Sequence, residues 1–157
     1  MSGEVRTQGT EVYFGDNINS PQALKKILNV MDVGEFGPQA DDIDVTNFDS
    51  TAKEYLVGLP DNGEATLQIN FKPTDPIHQL LNSWAGTSNR VTFIVCFADG
   101  TTAPTFVANA VVAPTNRTSA KFTASVKTFR NAVKKNDAVR TTLTLRISGA
   151  ITWAYHS

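Results

Sequence analysis

The 157-residue sequence predicts a mainly β protein: a single antiparallel β-sandwich or barrel of about seven to nine strands with one packed helix. Apolar and polar residues alternate over positions 139–153, which is the period of a strand with one buried face. Residues 91–97 are apolar on both faces, as in a strand at the centre of a sheet. With 41% hydrophobic residues, a chain of this length can bury a sizeable core as one domain.

The first quarter of the chain contains an arm and one ambiguous segment. Residues 1–11 form an N-terminal arm without the hydrophobic segment of a secretory signal, so we expect no such signal. Residues 21–36 fit a helix, because Leu24, Ile27, Leu28 and Met31 share one helical face, and fit a strand equally well.

A long acidic loop over residues 34–63 follows, rich in Gly, Asp and Asn. Residues 43–47 and 53–59 offer short strands inside it. Long loops in compact domains are usually functional or disordered.

One helix is predicted over residues 75–85. Asp75 can cap it, Pro76 suits its first position, and Gly86 can end it. Its apolar residues fall at the spacing of a narrow stripe packed on a sheet: Ile77, Leu80, Leu81 and Trp84. Further strands are predicted around residues 66–71, 105–113 and 121–127.

The last strand is too long to stay straight inside a compact domain. Fifteen extended residues span about 50 Å at ~3.4 Å per residue, whereas such a domain has a radius of gyration of ~15 Å. The strand therefore bends or protrudes, and Gly149 marks a candidate bulge. Trp153 continues the apolar row, so we expect it to be buried like Trp84. Residues 152–157 form a C-terminal tail.

The net charge of −1 conceals two segments of opposite sign. Nine acidic residues between positions 32 and 64 are opposed by Lys53 alone, and eight basic residues between 115 and 146 by Asp137 alone. The two segments are either solvated faces of a monomer or complementary surfaces that associate head to tail, the contact that builds rings and filaments.

Residues that could carry chemistry are sparse, so we predict no enzyme, no cofactor and no metal site. The single Cys96 lies in the most apolar strand, which predicts a buried, inert thiol. His78 fits a surface or packing role, and Asp41, Asp42 and Asp44 lack the spacing of a calcium loop. Phe129 is the only aromatic residue among the basic residues of positions 127–146, which is too few rings to stack bases. The sequence has no stretch of about 20 apolar residues, the length that a membrane span needs.

The order of these features resembles the tail tube proteins of long-tailed bacteriophages with non-contractile tails. The helix-like pattern within residues 19–34 departs from the strand that the family has there. The resemblance covers nearly the whole chain and is carried by Thr7–Glu11, Ile43–Asn47, Ala52–Tyr55, Gly58–Leu59, Asp61, Gly63–Glu64, Pro73, Asp75, Leu80–Leu81, Phe97–Gly100, Asp137–Val139, Leu143–Gly149 and Ile151–Trp153.

The resemblance implies a structural virion protein, made and assembled in the host cytoplasm. In this family, six copies of a β-sandwich close into a ring around a channel, and rings stack head to tail through a long loop and terminal arms. Viral DNA crosses the channel, whose wall tends to be acidic, without specific binding. The implied partners are further copies of the chain and the tail-tip initiator, tape-measure and terminator proteins.

Two sets of charged residues are our candidates for the contacts between subunits. The basic set would supply a ring contact or the outer rim, and the acidic set the complementary contact or part of the channel wall. The acidic set is Asp32, Glu35, Asp41, Asp42, Asp44, Asp49, Asp61 and Glu64, and the basic set is Lys127, Arg130, Lys134, Lys135 and Arg140.

Two other functions remain open from the sequence. Bacterial contractile injection and secretion systems use a similar tube subunit. A monomeric β-sandwich that binds a ligand would show exposed aromatic rings in its loops, whereas both tryptophans are expected to be buried.

Overall fold

The computed structural model describes residues 9–16, 23–37, 40, 42–47, 51–57, 63–108, 110–135 and 138–156. These residues form eleven strands and one helix. In chain order they are β1 Glu11–Asp16, β2 Ala23–Ile27, β3 Val30–Val33, β4 Asp42–Asp44, β5 Tyr55–Val57, β6 Glu64–Asn70, α1 Pro76–Trp84, β7 Arg90–Cys96, β8 Thr105–Val107, β9 Ala110–Val112, β10 Ser119–Ala132 and β11 Arg140–Ala154.

Seven of the strands form one antiparallel sheet in the order β2-β1-β7-β10-β11-β6-β3. The pairs β4–β5 and β8–β9 are separate two-stranded hairpins. The predicted mainly β architecture with one packed helix is confirmed. The strand number exceeds the predicted seven to nine because the two hairpins add four short strands outside the main sheet.

The sheet is rolled, because its two edge strands follow each other in the chain. Only Leu28 and Asn29 separate β2 from β3. Through the pairings of β1, β7 and β10, Ile27 lies level with Trp153 on β11. Val30 lies level with Thr141 through β6. The sheet therefore returns to its starting edge with a large stagger, as strands do when they wrap round a barrel.

The ambiguous segment 21–36 forms the strands β2 and β3 in its described part. Asn29 between them has a φ of 61°, the left-handed conformation that Asn tolerates better than most residues. The apolar positions that suggested a helix do not share one environment. Leu24 and Ile27 pack into two different clusters, whereas Leu28 and Met31 are exposed.

Helix α1 packs one face against the core of the roll and confirms the predicted element. The Asp75 side chain accepts a hydrogen bond from the Ile77 N–H (2.9 Å), and Pro76 begins the helix. Leu81 and Trp84 are buried, and the Trp84 ring meets the Phe14 ring edge-on at 5.6 Å.

The buried His78 attaches the helix to the link between β2 and β3. Its Nδ1 accepts from the Lys72 N–H (3.0 Å), so its Nε2 donates to the Leu28 carbonyl (2.9 Å). This is the packing role that the sequence allowed.

The β8–β9 hairpin covers the second face of the sheet over β1 and β7. Val111 is buried there with Tyr13, Ile94 and Cys96. The fit is close at Gly15, where an added Cβ would lie 2.7 Å from the Val111 Cγ2 atom. Both faces of β7 are therefore buried, as its apolar sequence predicts.

The long strand β11 bends at Gly149, as predicted. Gly149 has a φ of 88°, and the register passes from Thr123↔Ser148 to Lys121↔Thr152, so that β11 has two more residues than β10 over this stretch. Beyond the bulge Trp153 is 39% exposed, so the prediction that it is buried is wrong. The alternation fails there because the strand has reached the open end of the roll.

The reactivity of the Cys96 thiol tests the packing between the β8–β9 hairpin and the sheet, because the residue is buried there. Burial raises the pKa of its thiol to about 11, and a thiol reacts through its thiolate. We expect the native protein at pH 8 to resist a thiol reagent that modifies one cysteine per chain in denaturant. Modification of the native protein at the rate of a free cysteine would contradict this packing.

Candidate assembly surfaces

The acidic loop leaves the sheet at one end of β6. Gly34, just after β3, donates its N–H to the Thr66 carbonyl (2.6 Å), and Glu64 begins β6 opposite Arg146. Four residues of the predicted acidic set are exposed. Asp32 lies on β3, Glu35 lies just after it, and Asp42 and Asp44 lie on β4. Glu64 is half-buried, and Asp41, Asp49 and Asp61 lie outside the described residues.

The hairpin β4–β5 within the acidic loop is apolar as well as acidic. Ile43 on β4 pairs with Leu56 on β5, and both are exposed together with Tyr55 and Val57. Asp44 accepts a hydrogen bond from the Thr46 N–H (2.9 Å), which lowers the pKa of its carboxyl and keeps it charged. An isolated two-stranded hairpin is marginal in water, and clustered exposed apolar residues mark interaction sites.

The basic turn, residues 127–140, lies at the opposite end of the sheet. Ala132 on β10 pairs with Arg140 on β11, which pairs in turn with Asn70, the last residue of β6. Lys134 and Lys135 are exposed at the turn, as are Arg130 and Arg140 on the adjoining strands. Lys127 differs from them, because its Nζ forms an ion pair with Glu64 of the acidic set within the same subunit.

The acidic loop after Gly34 and the tip of the basic turn therefore lie at opposite ends of β6, although Asp32 lies level with Arg130 and Lys127 reaches Glu64. β6 alone runs from Glu64, where the acidic loop rejoins the sheet, to Asn70 beside the basic turn. Its seven residues span about 20 Å at ~3.3 Å each. A subunit with unlike groups at its two ends can contact an identical subunit head to tail.

Between these ends, the outer face of β6, β10 and β11 is lined with hydroxyl groups. Thr144 pairs with Thr66 on one side and Thr128 on the other, and the rows on either side contribute Thr142 and Ser125. We call this surface the hydroxyl face. Its members are half-buried, and they are Thr66, Thr123, Ser125, Thr128, Thr142, Thr144 and Ser148.

Charged residues flank the hydroxyl face with both signs. Glu64 is paired across β11 with Arg146, whose other neighbour is Ser125. Asp32 is level with Gln68, Thr142 and Arg130 in one row across the four strands. The face is therefore polar without a strong net charge.

Comparison with known proteins decides the family. The model of the lambda-like phage tail tube family matches residues 3–157. The chain belongs to this family. "Structural protein 3" of Pseudomonas phage PAJU2 is 27% identical over 150 residues, which are 92% of this chain and 90% of the relative. The chain is thus a structural tail tube protein and a component of the virion.

Solved structures share the fold of this tail tube protein at low sequence identity. The SPP1 tail tube protein is 11% identical with a TM-score of 0.61, over 98% of this chain and 80% of that one. A chain from the tail of a gene transfer agent particle is 15% identical with a TM-score of 0.63, over 96% of this chain and 99% of that one. A chain from an extracellular contractile injection system is 12% identical with a TM-score of 0.68, over 98% of both chains. The part of the tail tube protein that the structure describes has no helix long and apolar enough to cross a membrane.

Arg117 of the tail tube protein is a buried residue that the sequence analysis does not single out. It is one of the eight basic residues counted between positions 115 and 146, yet its side chain is fully buried. Its Nε donates to the Phe97 carbonyl (2.6 Å), and its terminal nitrogens donate to the carbonyls of Gly9 (2.9 Å) and Thr102 (3.2 Å). No spacing in the sequence distinguishes this arginine from its exposed neighbours.

The charge of Arg117 is balanced by Glu11 at the start of β1. Its Nη1 lies 2.7 Å from the Glu11 Oε1, and Lys26 on β2 binds the second oxygen of the same carboxylate. Burial alone would raise the pKa of Glu11, but the hydrogen bonds from Lys26 and Arg117 lower it, so Glu11 stays ionised. The arginine thus attaches the beginning of β1 to the end of β7.

We expect Arg117→Ala to destabilise the subunit by about 3–5 kcal/mol, because it leaves a partly buried carboxylate and several carbonyls without their donor. Urea unfolding followed by circular dichroism measures this. Arg130→Ala, which removes an exposed arginine, is the matched control and should change stability by less than about 0.5 kcal/mol. Equal effects of the two substitutions would refute a special role for Arg117.

Proposed function

We propose that this tail tube protein closes into rings, of six copies as in the family it resembles, which stack head to tail. The acidic loop of one subunit contacts the basic turn of a subunit in the next ring. One observation carries the proposal: the acidic loop after Gly34 and the tip of the basic turn, residues 132–135, lie at opposite ends of β6. Neighbours in a stack then meet with unlike ends, and the tube has a direction.

Apolar burial supplies most of the adhesion in this contact. Exposed ion pairs are each worth about 0–1 kcal/mol, whereas apolar area contributes roughly 25 cal/mol per Å². The exposed apolar residues of the β4–β5 hairpin, among them Leu56 and Val57, and Val133 at the basic turn can supply that area. The charged residues Asp42, Asp44, Lys134 and Lys135 set the register and reject the reversed orientation.

The channel wall is the second part of the proposal. We assign it to the hydroxyl face, because seven neutral side chains and charges of both signs attract a phosphate backbone only weakly. Asp42 and Asp44 then belong to a contact between rings instead of the wall. Viral DNA crosses this surface without being held, and the tail-tip initiator, tape-measure and terminator proteins meet the tube at its ends or in its channel.

Charge reversal tests the stacking contact. We expect Lys134→Glu with Lys135→Glu to abolish or strongly reduce tube growth while the subunit stays folded, because like charges then face each other across the contact. Electron microscopy and sedimentation of tubes, grown with the initiator components, give the yield. The melting curve reports the fold.

The matched control restores the attraction by exchanging the charges. Asp42→Lys with Asp44→Lys, combined with the two lysine reversals, should recover much of the tube yield. An unchanged yield for the lysine reversals would exclude the basic turn from the contact. Failure of the exchange to recover any yield would exclude Asp42 and Asp44 as its partners.

A cysteine introduced at Thr144 tests the channel wall. In assembled tubes we expect the Thr144→Cys variant to react with a small maleimide that enters the channel and to resist a maleimide coupled to a large protein. Free subunits should react with both reagents. Val107→Cys, on the β8–β9 hairpin, is the control for an outer surface. Equal reaction of the Thr144→Cys variant with both reagents in intact tubes would place the hydroxyl face outside.

A further inference from the structure

A group of aromatic rings lies at the end of the sheet where the acidic loop leaves it. Trp153 has three neighbours at nearly parallel angles: Phe36 (6.0 Å, 14°), Phe97 (5.9 Å, 26°) and Tyr155 (6.2 Å, 10°). We call these four residues the aromatic end. Phe36 and Phe97 pack against the core, whereas Trp153 is 39% and Tyr155 71% exposed.

The exposed rings of Trp153 and Tyr155 are not explained by a role in covering the hydrophobic core. Tyr155 lies beyond the last residue of β11, stacked on Trp153 instead of on a core residue. The chain beside it is fixed, because the His156 N–H donates to the Thr118 hydroxyl (3.1 Å), which in turn donates to Asp99. The exposed rings are thus held in place in the free subunit.

Acidic groups lie beside the aromatic end. Asp99 accepts hydrogen bonds from the N–H and the hydroxyl of Thr118. These bonds lower the pKa of its carboxyl although burial opposes them, so Asp99 stays charged. Glu35, next to Phe36, is exposed. Flat aromatic rings near carboxylates suit a group that is both apolar and positively charged.

The basic turn presents such a group at the other end of the molecule. Val133 is 77% exposed, and Lys134 and Lys135 follow it. Ala132, just before Val133, ends the same strand that Ser119 begins opposite Ala154. The strand β10 has 14 residues, so the turn and the aromatic end lie roughly 40 Å apart at ~3.3 Å per residue. The two groups can meet only between different subunits.

We propose that the aromatic end binds the tip of the basic turn of a second copy of this chain, with Val133 on the rings of Trp153 and Tyr155 and a lysine ammonium over a ring face. The inference rests on the proposed head-to-tail stacking and assigns a second contact to the same pair of ends. The stack then has an apolar and cation–π contact close to the sheet in addition to the contact of the acidic loop.

A disulfide between the two ends tests this contact. The subunit Val133→Cys with Tyr155→Cys carries one new cysteine at each end, both at exposed positions, while the native Cys96 is buried. Mild oxidation of assembled tubes should link successive subunits into a ladder of multimers on a non-reducing gel. Oxidised free subunits at low concentration should stay monomeric.

The matched control keeps the cysteine at the turn and moves the other one. Val133→Cys with Val107→Cys also carries two exposed cysteines, and we expect no ladder from its tubes. Tubes that form without a ladder from the 133/155 pair, or with equal ladders from both pairs, would overturn the aromatic contact and leave the stacking intact. If the unmodified chain forms no tubes with its initiator, the stacking fails and the contact with it.

Tryptophan fluorescence of the unmodified tube gives a second measurement in case the new cysteines impair assembly. Trp84 is buried and Trp153 is partly exposed, so iodide quenching of the free subunit reports mainly on Trp153. Covering by the next subunit should reduce the quenching constant several-fold in tubes. Quenching of equal strength in tubes and free subunits would also overturn the contact.

Discussion

The fold depends on the short link between β2 and β3. Because only Leu28 and Asn29 join the two edges of a seven-stranded sheet, the sheet has to roll until those edges meet. The roll encloses the core residues and leaves a staggered opening at each end. Helix α1 packs against this core and holds the link through His78 and the Leu28 carbonyl. The acidic loop and the tip of the basic turn lie at opposite ends of β6 in this roll.

Buried polar contacts hold the chain together where the hydrophobic core ends. Arg117 brings the carbonyls of Gly9, Phe97 and Thr102 to one guanidinium, and Glu11 supplies the balancing charge. Near the same end, Thr118 links Asp99 to the backbone of His156. These hydrogen bonds of defined direction fix the start of β1 and the chain after β7 and β11 relative to the core.

Features that depend on neighbouring residues could be predicted from the sequence. Features that depend on pairing between residues distant in the chain could not. The cap at Asp75, the stripe of α1, the two-sided β7 and the bulge at Gly149 each follow from neighbouring residues. Segment 21–36 was ambiguous because only its position at both edges of a rolled sheet makes it two strands. The environments of Arg117 and Trp153 depend on residues distant in sequence, Glu11 for the arginine and Phe36 and Phe97 for the tryptophan. Sequence periodicity carries no information about such partners.

The positions of the exposed apolar and charged residues affect how free subunits associate. Exposed apolar residues lie at both ends of the subunit: Leu56 in the acidic loop and Tyr155 in the aromatic end on one side, and Val133 at the turn on the other. Charged neighbours accompany each group, so that two like ends repel and unlike ends attract. A single such contact between free subunits is weak, whereas a ring offers several contacts at once and gains their combined effect. In the proposed stack, growth from an existing ring is therefore favoured over association in free solution.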